Sequence, residues 1–388
     1  MRQHKIRKAA LLVMKKILLL TTGGTIASSD TGSGLMPVAG ADRLLNYVPD
    51  VNKICNLYTM SVMNIDSTNM TPELMMKLAQ AVSDNYDKYD GFVITHGTDT
   101  MAYSAAALSY MLQNLGKPVV FTGSQLPIEA EGTDAINNLS DAIYFACENI
   151  CGVYVVFNGI AIIGTHAMKI KTRSFDAFES VNCPDIATIK KDIIEYTAKG
   201  KSIAKKEAAQ NLYGSKGFIA KINLCTDVMP LKMYPGIDGR VFDFIKNNYR
   251  GVVIESFGIG GVPDNYNDIS TKLRELTEAG TAVAITTQCM YEGIDLSVYE
   301  VGQTLAKQGI INCADMTFEA SVMKLMWALA EFDNIKDIKA FMEKRQSFYR
   351  EQDAQAAKLL ADAKQAAAEA QRKMKDADAA AAEKMAQM

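Results

Sequence analysis

Over the first two hundred positions, short apolar blocks alternate with stretches of helical spacing. Residues 16–20, 91–95, 119–122 and 152–158 are compact apolar runs, most leading into glycine, threonine or asparagine, and 59–65 is a further strand. Between them, 72–83, 100–115 and 135–147 place apolar residues three and four apart, with Thr71 and Thr133 or Asp134 suited to cap helix starts. Strand-helix alternation predicts an α/β fold with a parallel sheet covered by helices on both faces. In such sheets ligands gather beyond the carboxyl ends of the strands.

The pattern weakens and becomes polar and lysine-rich over 184–216, read as a linker. A second alternation follows, with strands expected at 218–224, 251–257 and 282–286 and helices at 269–279 and 317–331. The expected organisation is therefore a loose extension over 1–13 and a larger flavodoxin-like or Rossmann-like domain over 14–183. After the linker come a smaller α/β domain over 217–345 and an Ala/Lys-rich tail over 346–388. Beyond Tyr349 the large apolar residues are Leu359, Leu360, Met374, Met385 and Met388, too few for a heptad seam. Alanine favours helix, and about forty such residues would reach about 60 Å. Two readings of the tail stay open: a solvated helix without catalytic role, or an arm that docks a partner or strengthens an oligomer.

Composition narrows the classes. The 388 residues are 48% hydrophobic and 22% charged, with net charge −3 and mixed signs, so no nucleic-acid surface is expected. Seven scattered cysteines read as reduced thiols of a cytoplasmic protein, Cys147 and Cys151 among them. Three histidines offer little for metal or histidine-dependent chemistry, and neither a metal nor a cofactor is expected. No apolar run reaches the length of a membrane span. The basic leader invites a signal-peptide reading. Lys15-Lys16 interrupts its apolar run, however, and cleavage after Ala27 would remove Thr25. We therefore read 17–22 as the first core strand, with the residues before Met14 a loose extension or a mis-assigned start.

Two segments carry the chemistry. Leu19-Leu20-Thr21-Thr22-Gly23-Gly24-Thr25-Ile26-Ala27-Ser28 is answered by Thr95-His96-Gly97-Thr98-Asp99-Thr100-Met101. Each is an apolar strand running into a turn of small and hydroxyl residues. Side by side they would bring two threonines and a carboxylate together, which suits attack on an amide by a threonine hydroxyl. Thr98 and Asp99 also suit a helix cap, and His96 reads as a turn support.

The pair resembles the two signatures of the bacterial-type L-asparaginases and glutaminase-asparaginases, in the type I, cytoplasmic-like variant. Asp66-Ser67-Thr68-Asn69-Met70-Thr71-Pro72, Thr122-Gly123-Ser124-Gln125-Leu126-Pro127, Lys169 before Phe175-Asp176-Ala177-Phe178, and Thr286-Thr287-Gln288-Cys289 follow in the same order. The resemblance covers roughly 14–342 and implies hydrolysis of L-asparagine to L-aspartate and ammonia through a threonine acyl-enzyme, without cofactor. It implies Thr25 as nucleophile, a proton relay of Thr98, Asp99 and Lys169, and substrate contacts from Asp66, Ser67, Thr68, Thr98, Asp99 and Ser124. The Phe175-Asp176-Ala177-Phe178 block favours Lys169 over Lys171. It also implies a homodimer or homotetramer in the cytoplasm, and a possible effector segment at Thr287, Gln288 and Cys289.

The chain departs from that pattern in three places. Leu35 stands where a lid tyrosine is common, Glu255 where an effector-binding arginine is expected, and Gly261 where some members carry asparagine. Glu255 predicts weak or no activation by asparagine, because a reversed charge cannot hold the same carboxylate. Other readings are a glutaminase-asparaginase, an amidotransferase subunit or a lysophospholipase of the same fold. Outside enzymes, the alternatives are a small-molecule binding module or an interaction protein. Neither glycine-rich phosphate motif accompanies the two turns.

Overall fold

The computed structural model describes residues 14–344 except 31–34, 38–43, 191, 210–216, 265–268 and 299. The 1–13 extension and the 346–388 tail lie outside the described residues. Residues up to Glu343 form one compact unit. Strand β1 (Lys15–Gly23) is followed by β2 (Cys55–Ile65), β3 (Gly91–Thr95), β4 (Pro118–Thr122) and β5 (Gly152–Phe157). They lie parallel in the order β2-β1-β3-β4-β5. β1 is flanked by β2 and β3, and β3 and β4 are buried throughout, so their sequences are continuous apolar runs rather than alternating ones. β6 (Ile160–Ile163) returns antiparallel through Asn158-Gly159, both at positive φ (48° and 74°), the pairing a tight hairpin requires. β7 (Ala167–Lys169) and β8 (Phe178–Ser180) form a separate hairpin, while β9 (Ala187–Lys190) and β10 (Ile193–Tyr196) complete the eight-stranded sheet.

Helices α1 (Pro72–Asn85), α2 (Met101–Met111), α3 (Ala135–Ala146) and α4 (Ala198–Ala209) belong to this half. Thr71 caps α1 as expected, its hydroxyl accepting from Leu74 N at 3.4 Å, with Pro72 in the first turn. The smaller half has four parallel strands in chain order: β11 (Val228–Lys232), β12 (Gly251–Ser256), β13 (Ala282–Thr287) and β14 (Ile311–Asn312). Its helices are α5 (Arg240–Asn248), α6 (Ile269–Glu278), α7 (Glu300–Lys307), α8 (Phe318–Glu331) and α9 (Ile335–Met342). Thr317 caps α8 by accepting from Ala320 N at 3.1 Å. The two-domain α/β expectation therefore holds, with a large mixed sheet and a small parallel one. Among the described residues no helix is long and apolar enough to cross a membrane.

One core joins the two halves. It runs from β1, β3 and β4 through α2 to α8 and on to Val253, Ala282 and Ala284 of the small sheet. Nearly all of α2 is buried, with Ala102, Ala105, Ala106 and Ala107 allowing close approach to α8, which buries ten residues itself. A second core covers the other face of the small sheet.

Two expectations need correction. The 184–216 stretch is not an unstructured linker where described: it supplies β9, β10 and α4. β10 is an edge strand with Ile193 62% exposed, and β9 alternates buried with part-exposed or exposed residues, so no buried run announces either. Likewise 218–224 is not a strand of the small sheet. Only Ile219–Ala220 pairs, with Leu112–Gln113, while Lys221 N donates to Met111 O and Lys221 O accepts from Trp327 Nε1 at 3.1 Å. The true first strand, β11, contains Pro230, which an edge strand tolerates.

Leu325 is fully buried on α8, where a Cβ on Gly251 of β12 would sit 3.1 Å from its Cδ2. We expect Leu325→Ala to destabilise the fold by roughly 2–5 kcal/mol through cavity formation. Urea unfolding followed by the fluorescence of Trp327 and by far-UV circular dichroism should move together to lower midpoints; a shift in only one signal would contradict a shared core.

Candidate active site

The order β2-β1-β3-β4-β5 reverses direction between β1 and β3, so a crevice opens at their carboxyl ends. Backbone contact closes the crevice floor. A Cβ on Gly24, at φ +78°, would lie 2.5 Å from Gly97 N, and one on Gly97 would lie 2.5 Å from Ser67 Oγ. Only hydrogen fits at either position, so the turns after β1, β2 and β3 meet there. Gly24 N donates to Ile65 O at 3.0 Å, and His96 N donates to Thr122 O at 2.8 Å. Thr25, which begins a short 3₁₀ turn, and Thr98 each follow one of the two touching glycines. Thr25 is half-buried, Thr98 buried, and Ser67 only 3% exposed.

Lys169 ends β7, opposite Phe178 in the hairpin. Its Nζ donates to Thr98 Oγ1 at 2.6 Å and to Asp99 Oδ1 at 2.7 Å. The lysine side chain is 17% exposed and Asp99 is 55% exposed, so the pair sits at a mouth, with its amine turned inward. Lys171 instead pairs with Asp176, both well exposed. Thr98 and Asp99 do not cap α2: the helix begins at Met101, and the Thr100 hydroxyl donates to Ser67 O at 2.8 Å.

The remaining expected residues divide. Asp66 Oδ1 accepts from Thr68 N at 2.9 Å, fixing the turn that presents Ser67; Asp66 and Thr68 are exposed beside it. Ser124 is 1% exposed and its hydroxyl donates to Leu126 O, so its side chain braces its own turn. Sequence reasoning missed Gln125 and the role of Asp134. Thr98 Oγ1 donates to Gln125 Oε1 at 3.4 Å, and Gln125 Nε2 donates to Ser174 O at 3.1 Å. Buried Asp134 accepts from Gln125 N at 2.9 Å, Leu126 N at 3.1 Å and Asn138 Nδ2 at 3.0 Å. The only sequence signal was its place at a helix start, and there Thr133 Oγ1 accepts from Ala135 N instead.

Comparison with known proteins places the chain in a family. Residues 16–201 match the family described as Asparaginase, N-terminal, and 227–342 match the Glutaminase/Asparaginase C-terminal domain. An L-asparaginase of Thermococcus kodakarensis is 37% identical over 333 residues, covering 85% of this chain and 97% of that protein. The chain belongs to the asparaginase family. L-asparaginase 1 of Escherichia coli is 35% identical over 326 residues, covering 82% of this chain and 92% of that protein. One component of the glutamyl-tRNA(Gln) amidotransferase of Pyrococcus abyssi is 36% identical over 342 residues, covering 85% of this chain and 75% of that component. The solved thermostable L-asparaginase of Thermococcus kodakarensis superposes with TM-score 0.77 at 35% identity, over 85% of this chain and 97% of its own. L-asparaginase I of Vibrio cholerae gives 0.76 at 32% identity, over 86% and 98%.

In this asparaginase-family chain, Thr287, Gln288 and Cys289 lie at the end of the small sheet, outside the Thr98–Lys169 cluster. Thr287 Oγ1 donates to Gly258 O, and Gln288 Nε2 donates to Met233 O at 2.6 Å and Glu255 O at 3.1 Å. Cys289 N donates to Thr287 Oγ1 at 3.0 Å, and its side chain is exposed. Glu255 faces Lys232 at 3.7 Å. Leu35 begins the second strand of a short pairing of Ser28–Asp30 with Leu35–Pro37; residues 31–34 between them lie outside the described residues.

His96 is fully buried. Its Nδ1 lies 2.7 Å from Gly97 O, so Nδ1–H donates, and Nε2 accepts from the Ser104 hydroxyl at 2.9 Å. Burial pushes its pKa down to about 4, against a smaller opposing effect of the Gly97 carbonyl. The ring is neutral and braces the turn. Because the unfolded state takes up a proton near pH 6.5 and the folded state near 4, this group's support is intact above 6.5 and lost as pH falls toward 4. The loss amounts to roughly 3 kcal/mol. The expected NMR titration shows the His96 ring neutral down to about pH 4; a midpoint above pH 6 would contradict its burial.

Proposed function

We propose that this chain hydrolyses L-asparagine to L-aspartate and ammonia, with Thr25 as nucleophile. The observation that carries the reading is the Lys169 amine bonded at once to Thr98 and Asp99, on the turn whose Gly97 touches Gly24. A threonine hydroxyl needs a neighbour to take its proton. Thr98, held to Lys169, is the hydroxyl through which that proton would pass to the amine. Thr25 Oγ would attack the side-chain carbonyl, the C–N bond would break with proton return to the leaving nitrogen, and ammonia would depart. Water would then cleave the acyl ester by the same relay and release aspartate. Asp99, half exposed at the mouth, suits the substrate ammonium. Ser67 and the backbone N–H groups beside it suit the α-carboxylate. We further infer a cytoplasmic homodimer or homotetramer.

The similarity to an amidotransferase component supports a second reading, in which the same site releases ammonia for a partner. The match to the asparaginase spans 97% of that protein and the match to the amidotransferase component 75%, which favours the free hydrolase. A glutamine preference would rest on one methylene of pocket depth, worth about 1–3 kcal/mol.

Ammonia release from L-asparagine and L-glutamine tests these readings. We expect asparagine turnover, a fall of at least about 10³-fold in kcat for Thr25→Ala, and a fall of about 10²- to 10⁴-fold for Lys169→Met. Appreciable activity in Thr25→Ala would sink the nucleophile assignment, and release only with a partner complex would favour the amidotransferase reading. The Glu255 side chain predicts a hyperbolic dependence of rate on asparagine; a sigmoidal one would overturn that part.

A further inference from the structure

Thr98 is bonded from two sides, and its second partner lies outside the residues assigned to the reaction so far. Gln125 follows the buried turn after β4. Its Oε1 accepts from Thr98 Oγ1 at 3.4 Å, and its Nε2 donates to Ser174 O at 3.1 Å. Ser174 belongs to the loop that leads from Lys169 at the end of β7 to Phe178 at the start of β8, and residues 171–176 of that loop are all exposed. The backbone beneath Gln125 is held as well. Gln125 N donates to both oxygens of Asp134, at 3.1 and 2.9 Å, and Leu126 N donates to the same carboxylate at 3.1 Å. Asp134 is 5% exposed and also accepts from Asn138 Nδ2 at 3.0 Å. The Gln125 side chain thus leaves a fixed turn, and both of its polar ends are anchored.

A hydroxyl carries one proton and two lone pairs. Lys169 Nζ donates to Thr98 Oγ1 at 2.6 Å, which occupies one lone pair, and the Thr98 proton is directed to Gln125. One lone pair is left, so Thr98 meets any third neighbour as an acceptor. We propose that Gln125 is a positioning residue for the proton relay, holding the Thr98 proton aside so that the remaining lone pair receives the proton of the nucleophile. The proposal rests on the hydrolase reading above. In the relay Thr98 takes a proton from Thr25 on that lone pair, while its own swings from the Gln125 oxygen to the neutral lysine amine. The threonine keeps one proton throughout, and Gln125 acts only through it.

The bond to Ser174 has a part in this. A carboxamide has an accepting end and a donating end, and only the first can take the Thr98 proton. Turned the other way, Gln125 would set its oxygen against the Ser174 carbonyl, where no hydrogen bond can form. The Ser174 carbonyl therefore selects the amide orientation that serves Thr98. A glutamate side chain at this position would present an accepting oxygen in either orientation and would need no such selection, whereas a methionine of similar length would offer neither bond. The two substitutions separate the acceptor facing Thr98 from the tie to the loop.

The test compares the full chain with Gln125→Met and Gln125→Glu in ammonia release from L-asparagine, with hydrogen–deuterium exchange of the peptide spanning 170–177 measured on the same samples. We expect Gln125→Met to lose about 10- to 100-fold in kcat with KM within about twofold of the unaltered chain. Gln125→Glu should keep kcat within about fivefold. Both variants should exchange faster over 170–177, since both lose the donor to Ser174 O. Recovery of kcat by glutamate while the loop stays loosened is a result that a purely structural role would not give. Unchanged kcat in Gln125→Met, or an equal loss in both variants, overturns the positioning role while leaving the hydrolase reading intact. An unaltered chain that releases no ammonia from asparagine overturns the hydrolase reading and the relay role with it.

Discussion

The close approach of three backbone turns governs this molecule. Gly24 lies against Gly97, and Gly97 against Ser67, at distances where a single methyl would displace the Gly97 backbone or the Ser67 side chain. That contact can exist only where three parallel strands end side by side and the sheet reverses its winding. It converts a property of the fold, strand order, into a property of the site, the nearness of hydroxyls from distant parts of the sequence. Large buried strands make the turns rigid, and the missing side chains let them touch.

Around this knot, polar groups are divided between holding and reacting. Asp134 takes the amides of Gln125 and Leu126, His96 is bonded on both ring nitrogens, and Ser124 is spent on its own turn. Each satisfies buried backbone or braces a neighbour. Thr98, Asp99 and Lys169 differ: their mutual bonds join three side chains at an opening instead of serving backbone.

Much of this was legible in the sequence, and the parts that were not share a physical cause. The strands β1, β3 and β4 could be read because both faces are buried, and the turns after them because glycine and hydroxyl residues cluster there. Lys169 could be chosen over Lys171 only through resemblance; spacing alone gives both. β9 and β10 were invisible because half of each faces water. Residues 218–224 misled because their apolar character serves packing against α2 and α8, with a two-residue pairing to Leu112–Gln113 and bonds of Lys221 to Met111 and the Trp327 ring instead of a place in the small sheet. Asp134 acts through bonds to loop amides, and Gln125 through bonds to the Thr98 hydroxyl and the Ser174 carbonyl, for which composition has no signature.

The core shared by α2 and α8 limits how the molecule moves. Helix α2 starts two residues beyond Asp99, so any rocking of the small sheet would be transmitted through α8 to the residues that grip Lys169. A clam-like opening would thus disturb the bonds of Lys169 to Thr98 and Asp99 each time the crevice opened. Because one core ties the two sheets together, access to the crevice would have to change locally rather than by parting of the sheets. Breadth of access is thereby exchanged for constancy of the groups that surround Lys169.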